Sequence, residues 1–388
     1  MGSNTILILY VTVGQGHRRA ALAIRDALEE KKTSLRVVCL DLMDLWSPVW
    51  GRLIAGLYRA LVLVLPGLWA HLYDNQKVKE RLARPLDLLL RFPRKRVCLL
   101  LKELTPAAVV CTQALPCALA ARCKSLSRMP FSLIAVPTDF RVHAYWIYDE
   151  VDLYLLPSRE SAVQLAGRGV LPGLIRVSGI PVHPGFNRKL DPAAMKRKHG
   201  LSPGLPAVLL MGGGEGSVSL ERLVRALDRS GETFQTAALA GRNLRQHARL
   251  QRLRDRLRHP LTVFGFIDRV DELMAAVDVI VTKPGGLTTA EALVRRLPLV
   301  LIDPLPGQED FNARFLRERG AAIHVPNAAE AERAVSRLLR DGDLRRRMLA
   351  AMAGVRKPDA ARAAARYIID SIPKQPVARI IHENEKFS

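Results

Sequence analysis

Twelve short apolar runs, separated by stretches of helical periodicity, constrain the fold of this chain more than any other feature. The first series comprises residues 5–13, 35–40, 107–111, 132–136, 153–156 and 174–177. The second comprises 207–211, 234–239, 261–264, 277–281, 299–302 and 321–325. Runs this short and this apolar, each followed by a helix-length segment such as 17–31 or 287–297, predict parallel strands buried on both faces by crossover helices. Between the series lies a Pro/Gly-rich joint, Gly179-Ile180-Pro181-Val182-His183-Pro184-Gly185. The expectation is an α/β protein with two Rossmann-like domains facing a cleft. Residues 1–180 form the first and 181–353 the second, with a C-terminal helix and tail over 354–388 that is free to pack back on the first.

The chain has 388 residues and 59 Lys and Arg against 37 Asp and Glu, a formal net charge of +22 spread over its whole length. Such an excess calls for an anionic partner. Aromatic residues make up only 5%, too few for a base-stacking platform, and no nucleic-acid motif is present. A phosphorylated substrate and an anionic membrane surface remain. Residues 6–13 are apolar but short and lack a basic n-region, so they read as the first strand rather than a leader. The five cysteines, Cys39, Cys98, Cys111, Cys117 and Cys123, contain no CxxC pair and are odd in number. They read as reduced core residues of a cytoplasmic protein, without metal-site spacing.

The turns after the strands carry the chemistry. Lys283-Pro284-Gly285-Gly286-Leu287-Thr288-Thr289-Ala290-Glu291 follows a strand and opens a helix. Gly285 and Gly286 permit close backbone approach, and the free N–H groups and dipole of the helix start suit a phosphate. Thr288 and Thr289 add hydroxyls, and Glu291 is expected in the first turn, where a carboxylate accepts from a ribose diol. Alone, such a turn reads as an ordinary strand–helix connection with Glu291 as a first-turn charge. Its neighbours favour the phosphate: Met211-Gly212-Gly213-Gly214-Glu215-Gly216-Ser217 is a second Gly-rich turn suited to a diphosphate or sugar, and Gly265-Phe266 a loop able to hold a base. Gln308 and Glu309 begin a predicted helix and suit sugar hydroxyls. In the first domain, Gly14-Gln15-Gly16-His17 enters the first helix. His17 there either removes a proton from an acceptor hydroxyl, its neutral form favoured by the helix end, or caps and packs the turn.

These motifs, in this order, resemble the monogalactosyldiacylglycerol synthase and processive diacylglycerol β-glucosyltransferase family, glycosyltransferase family 28. The likeness extends through Pro137-Thr138-Asp139-Phe140 with His143 and Trp146, Gly179-Ile180-Pro181-Val182, and Gly307-Gln308-Glu309 with Asn312-Ala313. Gln15 and Glu215 depart from the usual pattern. The resemblance implies a GT-B fold and inverting transfer from a UDP-hexose to the 3-hydroxyl of diacylglycerol. It places Gly265 and Phe266 near uracil, Thr288 and Thr289 near the diphosphate, Glu291 on ribose, and Gln308 and Glu309 on the sugar. His17 is then the base, with Asp139 the runner-up. Gly14, Gly16, His143 and Trp146 fall on the acceptor side. No cofactor or essential metal is expected; Asp341-Gly342-Asp343 has the spelling of a metal-binding DxD but reads as an inter-helix turn.

Residues 46–73 break the α/β pattern. They are rich in Leu, Val and Trp, but Arg52, Arg59 and Pro66 interrupt them, so they lack the ~20 apolar residues of a spanning helix. They suit either a membrane interface, with Trp46, Trp50, Trp69, Arg52 and Arg59 near the headgroups, or a buried helical hairpin. The basic run Arg91-Phe92-Pro93-Arg94-Lys95-Arg96 favours an anionic surface, hence a peripheral protein on the inner face of the cell membrane. A polyprenyl-linked acceptor with a UDP-N-acetylglucosamine donor, a UDP-N-acetylglucosamine 2-epimerase, and a non-catalytic, membrane-bound nucleotide-sugar sensor are the alternatives.

Overall fold

The computed structural model describes residues 4–12, 15–45, 74, 78, 81, 85, 88, 90–212, 219–302, 304 and 307–372. The first domain runs β1 (Thr5–Tyr10), α1 (Gly16–Glu29), β2 (Arg36–Asp41), α2 (Arg91–Leu104), β3 (Ala108–Cys111), α3 (Ala114–Ser127), β4 (Ser132–Ala135), β5 (Leu153–Leu156), α4 (Arg159–Ala166) and β6 (Ile175–Val177). The second runs α5 (Pro192–Lys198), β7 (Ala207–Met211), α6 (Leu220–Leu227), β8 (Gln235–Leu239), α7 (Leu244–Leu253), β9 (Leu261–Phe264), α8 (Val270–Ala275), β10 (Val279–Thr282), α9 (Gly286–Arg295), β11 (Leu299–Leu301), α10 (Gln308–Glu318), β12 (Ile323–His324), α11 (Ala328–Arg340) and α12 (Gly342–Val355), with α13 (Ala360–Ser371) last.

Each domain is one parallel six-stranded sheet. The strand orders are β2-β1-β3-β4-β5-β6 and β12-β11-β10-β7-β8-β9. In β1 the side chains alternate between two apolar layers. Leu7 and Leu9 join Val109, Cys111, Leu133 and Ala135 on one face. Ile6, Ile8 and Tyr10 join Ala108, Val110 and Ile134 on the other. Burial on both faces is why these strands read as unbroken apolar runs rather than alternating ones.

The last helix returns to the first domain. Ala361, Ala364, Ala365 and Ile368 recur at helical spacing and lie in the layer with Ile6, Ile8 and Ile24. Ser132 Oγ donates to Ser371 O at 2.7 Å and Arg362 pairs with Glu30 at 3.0 Å. The turn into this return is tight: a Cβ on Gly179, at φ +91°, would lie 2.4 Å from Lys357 Cβ.

One expectation from the sequence is corrected. Cys98 and Cys123 are joined as a disulfide, leaving Cys39, Cys111 and Cys117 free. The residues are 25 apart in sequence and meet because α2 packs on α3.

Both sheets reverse their strand order once, between β1 and β3 and between β7 and β10. A crevice opens at the carboxyl ends of the strands at such a switch point, and ligands bind there. The turns after β1 and β10 are those that open α1 and α9.

Candidate active site

His17 stands in the first turn of α1. Its Nδ1 lies 2.8 Å from the carbonyl oxygen of Thr112, just past β3, and 3.0 Å from Thr138 Oγ1. Thr112 Oγ1 in turn donates to the His17 carbonyl at 3.0 Å. A carbonyl oxygen only accepts, so Nδ1 carries the hydrogen and Nε2 keeps a lone pair. Burial pushes the imidazole below its ordinary value; the negative charge of Asp139 and the Thr112 carbonyl pull the other way without prevailing. The ring is thus held neutral with its basic nitrogen fixed.

Asp139 is half-buried and accepts from Asn312 Nδ2 at 2.8 Å. Asn312, fully buried on α10, spans the two domains: its Oδ1 accepts from Phe140 N at 2.9 Å, and Nδ2 also donates to Pro284 O at 3.0 Å. Phe140 stacks on Phe315 with ring centroids 4.4 Å apart. Gly286 completes the seam. A Cβ there would lie 1.9 Å from Thr138 O and 2.9 Å from Asp139 Oδ1, so only glycine lets the start of α9 meet the Thr138–Asp139 turn.

Gly285 is the N-cap of α9. Thr288 is half-buried, whereas Thr289 is fully buried, and its hydroxyl donates to Gly285 O at 3.0 Å and Gly286 O at 2.9 Å. This corrects the expectation for Thr289: the helix takes its only donor. Glu291 is also displaced. The helix starts at Gly286, so Glu291 is its sixth residue and lies in the second turn. It is 2% exposed; Oε1 is 3.6 Å from Arg19 Nη1, and Oε2 is buried with no hydrogen-bond partner. Burial raises its pKa to about 7, against the lowering influence of Arg19. An orphaned buried acceptor of this kind fits a ligand that brings hydroxyl donors.

Gln308 and Glu309 open α10 behind Gly307, which holds φ +91°. Glu309 is 3% exposed, and its Oε1 is 2.7 Å from Lys283 Nζ. Gly265 follows β9, and Phe266 is 45% exposed beneath the Arg242 guanidinium at 4.6 Å. Gly16 is half-buried, with Leu287 Cβ 3.7 Å from where its Cβ would be. His143 is half-buried, its ring 6.2 Å from that of Trp146. Trp146, 4% exposed, belongs to the core of the first domain, which corrects its placement on an acceptor-facing or membrane-facing surface; its indole is large and apolar and packs inward. Gly14, Gly213, Gly214, Trp46, Trp50, Arg52, Arg59 and Trp69 lie outside the described residues. Asp341 caps α12, accepting from Leu344 N at 2.8 Å.

Thr112, Arg19, Lys283 and Asn312 belong to this constellation and carried no role in the sequence reading. Lys283 and Asn312 stand inside recognised motifs. Thr112 and Arg19 have no local signal.

Two Rossmann-like domains that meet at their switch points form the GT-B arrangement of glycosyltransferases. A family model described as monogalactosyldiacylglycerol (MGDG) synthase matches residues 17–182, and one described as glycosyltransferase family 28 C-terminal domain matches residues 207–367. Between them they span more than four fifths of the chain, which belongs to this family of diacylglycerol glycosyltransferases. A processive diacylglycerol β-glucosyltransferase of Bacillus cereus is 28% identical over 369 residues, covering 95% of this chain and 92% of the relative. Among solved structures, MurG of Acinetobacter baumannii has a TM-score of 0.61 at 15% identity, covering 94% of this chain and 99% of that one. A putative UDP-N-acetylglucosamine 2-epimerase from Listeria monocytogenes has a TM-score of 0.63 at 12% identity, covering 97% and 99%. At these identities the structures establish the fold alone, and the fold is common to a transferase and an epimerase; the family assignment rests on sequence.

Proposed function

We propose that this protein transfers a hexose from a UDP-sugar to the 3-hydroxyl of 1,2-diacylglycerol with inversion, giving a β-glycosyldiacylglycerol at an anionic membrane surface. One observation carries the reading. Gly286 is seated against Thr138 and Asp139, so the anion-binding end of α9 and the fixed imidazole of His17 share one crevice. The donor diphosphate lies at the α9 N-terminus and the ribose diol at Glu291, whose Oε2 is otherwise unpartnered. Gln308 and Glu309 read the sugar. His17 Nε2 takes the proton of the acceptor hydroxyl, and the oxygen attacks the anomeric carbon from the face opposite the leaving UDP. The nearby Asp139 carboxylate stabilises the imidazolium that forms. Charge developing on the diphosphate is met by the helix end and by the chain's own cations, without a required metal.

The membrane side of the proposal rests on α2. Phe92 is 81% and Leu99 57% exposed, beside exposed Arg91, Lys95 and Lys102. No helix among the described residues is long and apolar enough to cross a membrane.

The test is product formation by the purified protein with diacylglycerol in anionic vesicles, supplied with labelled UDP-glucose or UDP-galactose in separate reactions. A labelled glycolipid with a β linkage is expected from one of them. UDP binding without lipid product from either donor would overturn this pairing in favour of a polyprenyl-linked acceptor or a different donor such as UDP-N-acetylglucosamine.

A further inference from the structure

The charge at the donor turn does not balance. A helix N-terminus offers about half a positive charge, whereas a departing nucleoside diphosphate carries roughly three negative charges at neutral pH, about two of them on the terminal phosphate. Thr289 adds nothing, because its hydroxyl is spent on Gly285 and Gly286. Among the described residues, a cation stands beside this turn. Lys283 is two residues before Gly285, and Gly285 N donates back to Lys283 O at 2.9 Å. Its side chain is 17% exposed, and its ammonium lies 2.7 Å from Glu309 Oε1, which is itself 4.0 Å from where a Cβ on Gly285 would be.

Resting on the donor placement above, we infer that Lys283 is a catalytic residue: its ammonium bridges Glu309 and the departing diphosphate, supplying the positive charge that a divalent ion supplies elsewhere. An ammonium has three donors in compact geometry, so it can keep Glu309 and still reach a phosphate oxygen. When the bond between the anomeric carbon and the β-phosphate oxygen breaks, the electron pair stays on that oxygen. Lys283 stabilises it by hydrogen bond and charge and gives up no proton. Glu309, held by the same ammonium, faces the sugar. Lys283 thus joins leaving-group stabilisation to sugar recognition at one atom.

Lys283→Met keeps the length of the side chain and removes the charge. Titration calorimetry with UDP and with uridine separates the diphosphate from the base and ribose. The expectation is at least a tenfold loss of UDP affinity in Lys283→Met with uridine affinity unchanged, and retention of UDP affinity in Lys283→Arg. Millimolar Mg²⁺ should restore part of the turnover of Lys283→Met and leave wild-type turnover as it is. Equal UDP affinity in Lys283→Met and wild type overturns the inference, leaving Lys283 only as the partner of Glu309. Loss of uridine binding along with UDP binding overturns it too, since Lys283 would then hold the fold. A wild-type protein that binds neither UDP nor uridine overturns the donor placement itself.

Discussion

Arg19 in the first turn of α1 reaches Glu291 in α9, Nη1 to Oε1 at 3.6 Å. The pair ties the helix that carries His17 to the helix that opens at the phosphate turn. It is loose, and it leaves the second carboxylate oxygen buried and unpartnered. The site is therefore electrostatically incomplete when empty.

Glu291 should destabilise the empty protein in a pH-dependent way. Its pKa is raised from 4.5 to about 7, so between those values the folded state holds a proton that the unfolded state has released. Stability then falls as pH rises through this window. Glu291→Gln removes the penalty, and its gain over wild type, up to about 3 kcal/mol, should appear at pH 8 and vanish near pH 4. Denaturant unfolding at both values measures it. The same variant should lose at least tenfold in UDP affinity; wild-type affinity would place the ribose elsewhere.

His17 sets the acidic limb of activity. Its pKa is lowered by burial, so kcat, read with the donor saturating, should hold below neutrality and fall only at a pH under the ordinary imidazole value. Asp139 raises that pKa, so Asp139→Asn should move the limb to still lower pH besides reducing turnover. His17→Ala should lower kcat by roughly 10²–10⁴ while UDP binds normally. Near-normal turnover in His17→Ala would transfer the role of base to another group.

Gly286→Ala tests the seam between domains. The added methyl meets the Thr138 carbonyl oxygen at 1.9 Å, a backbone atom that no rotamer change can relieve. The start of α9 must then withdraw from the Thr138–Asp139 turn. Activity should drop more than tenfold, since a misplacement of about 1 Å can lose 10²-fold in rate, while circular dichroism shows both sheets intact. Full activity in this variant would mean that the closed seam is not the working arrangement.

Both sheets were legible in the sequence because strands buried on both faces leave an apolar run that needs no partner to be recognised. The edges were less so. The run 321–325 yields only Ile323–His324, since β12 pairs on one side alone. Within the site, residue types were readable and their partners were not. Thr289 and Glu291 sit in a recognised motif, yet where α9 begins decides that one hydroxyl bonds its own helix and one carboxylate faces Arg19. Cys98 and Cys123 gave no spacing signal, because their pairing follows from α2 lying on α3. Asn312 is one letter of a motif until the fold sets it between Asp139, Phe140 and Pro284.

Membrane docking should depend on one face of α2. Arg91, Phe92, Lys95, Leu99 and Lys102 recur at helical spacing on its outer side, while Val97 and Leu101 face the core. An exposed phenylalanine and leucine flanked by cations suit a surface that is apolar below and anionic above. Each cation near such a surface contributes about 1 kcal/mol, screened by salt. Lys95→Glu should therefore weaken binding to anionic vesicles severalfold at low salt and less at high salt. Phe92→Asp combined with Leu99→Asp should weaken it at both, with UDP affinity unchanged. Sedimentation of protein with vesicles of anionic and of neutral lipid measures this. Undiminished binding by the Phe92 and Leu99 double variant would assign docking to another part of the chain.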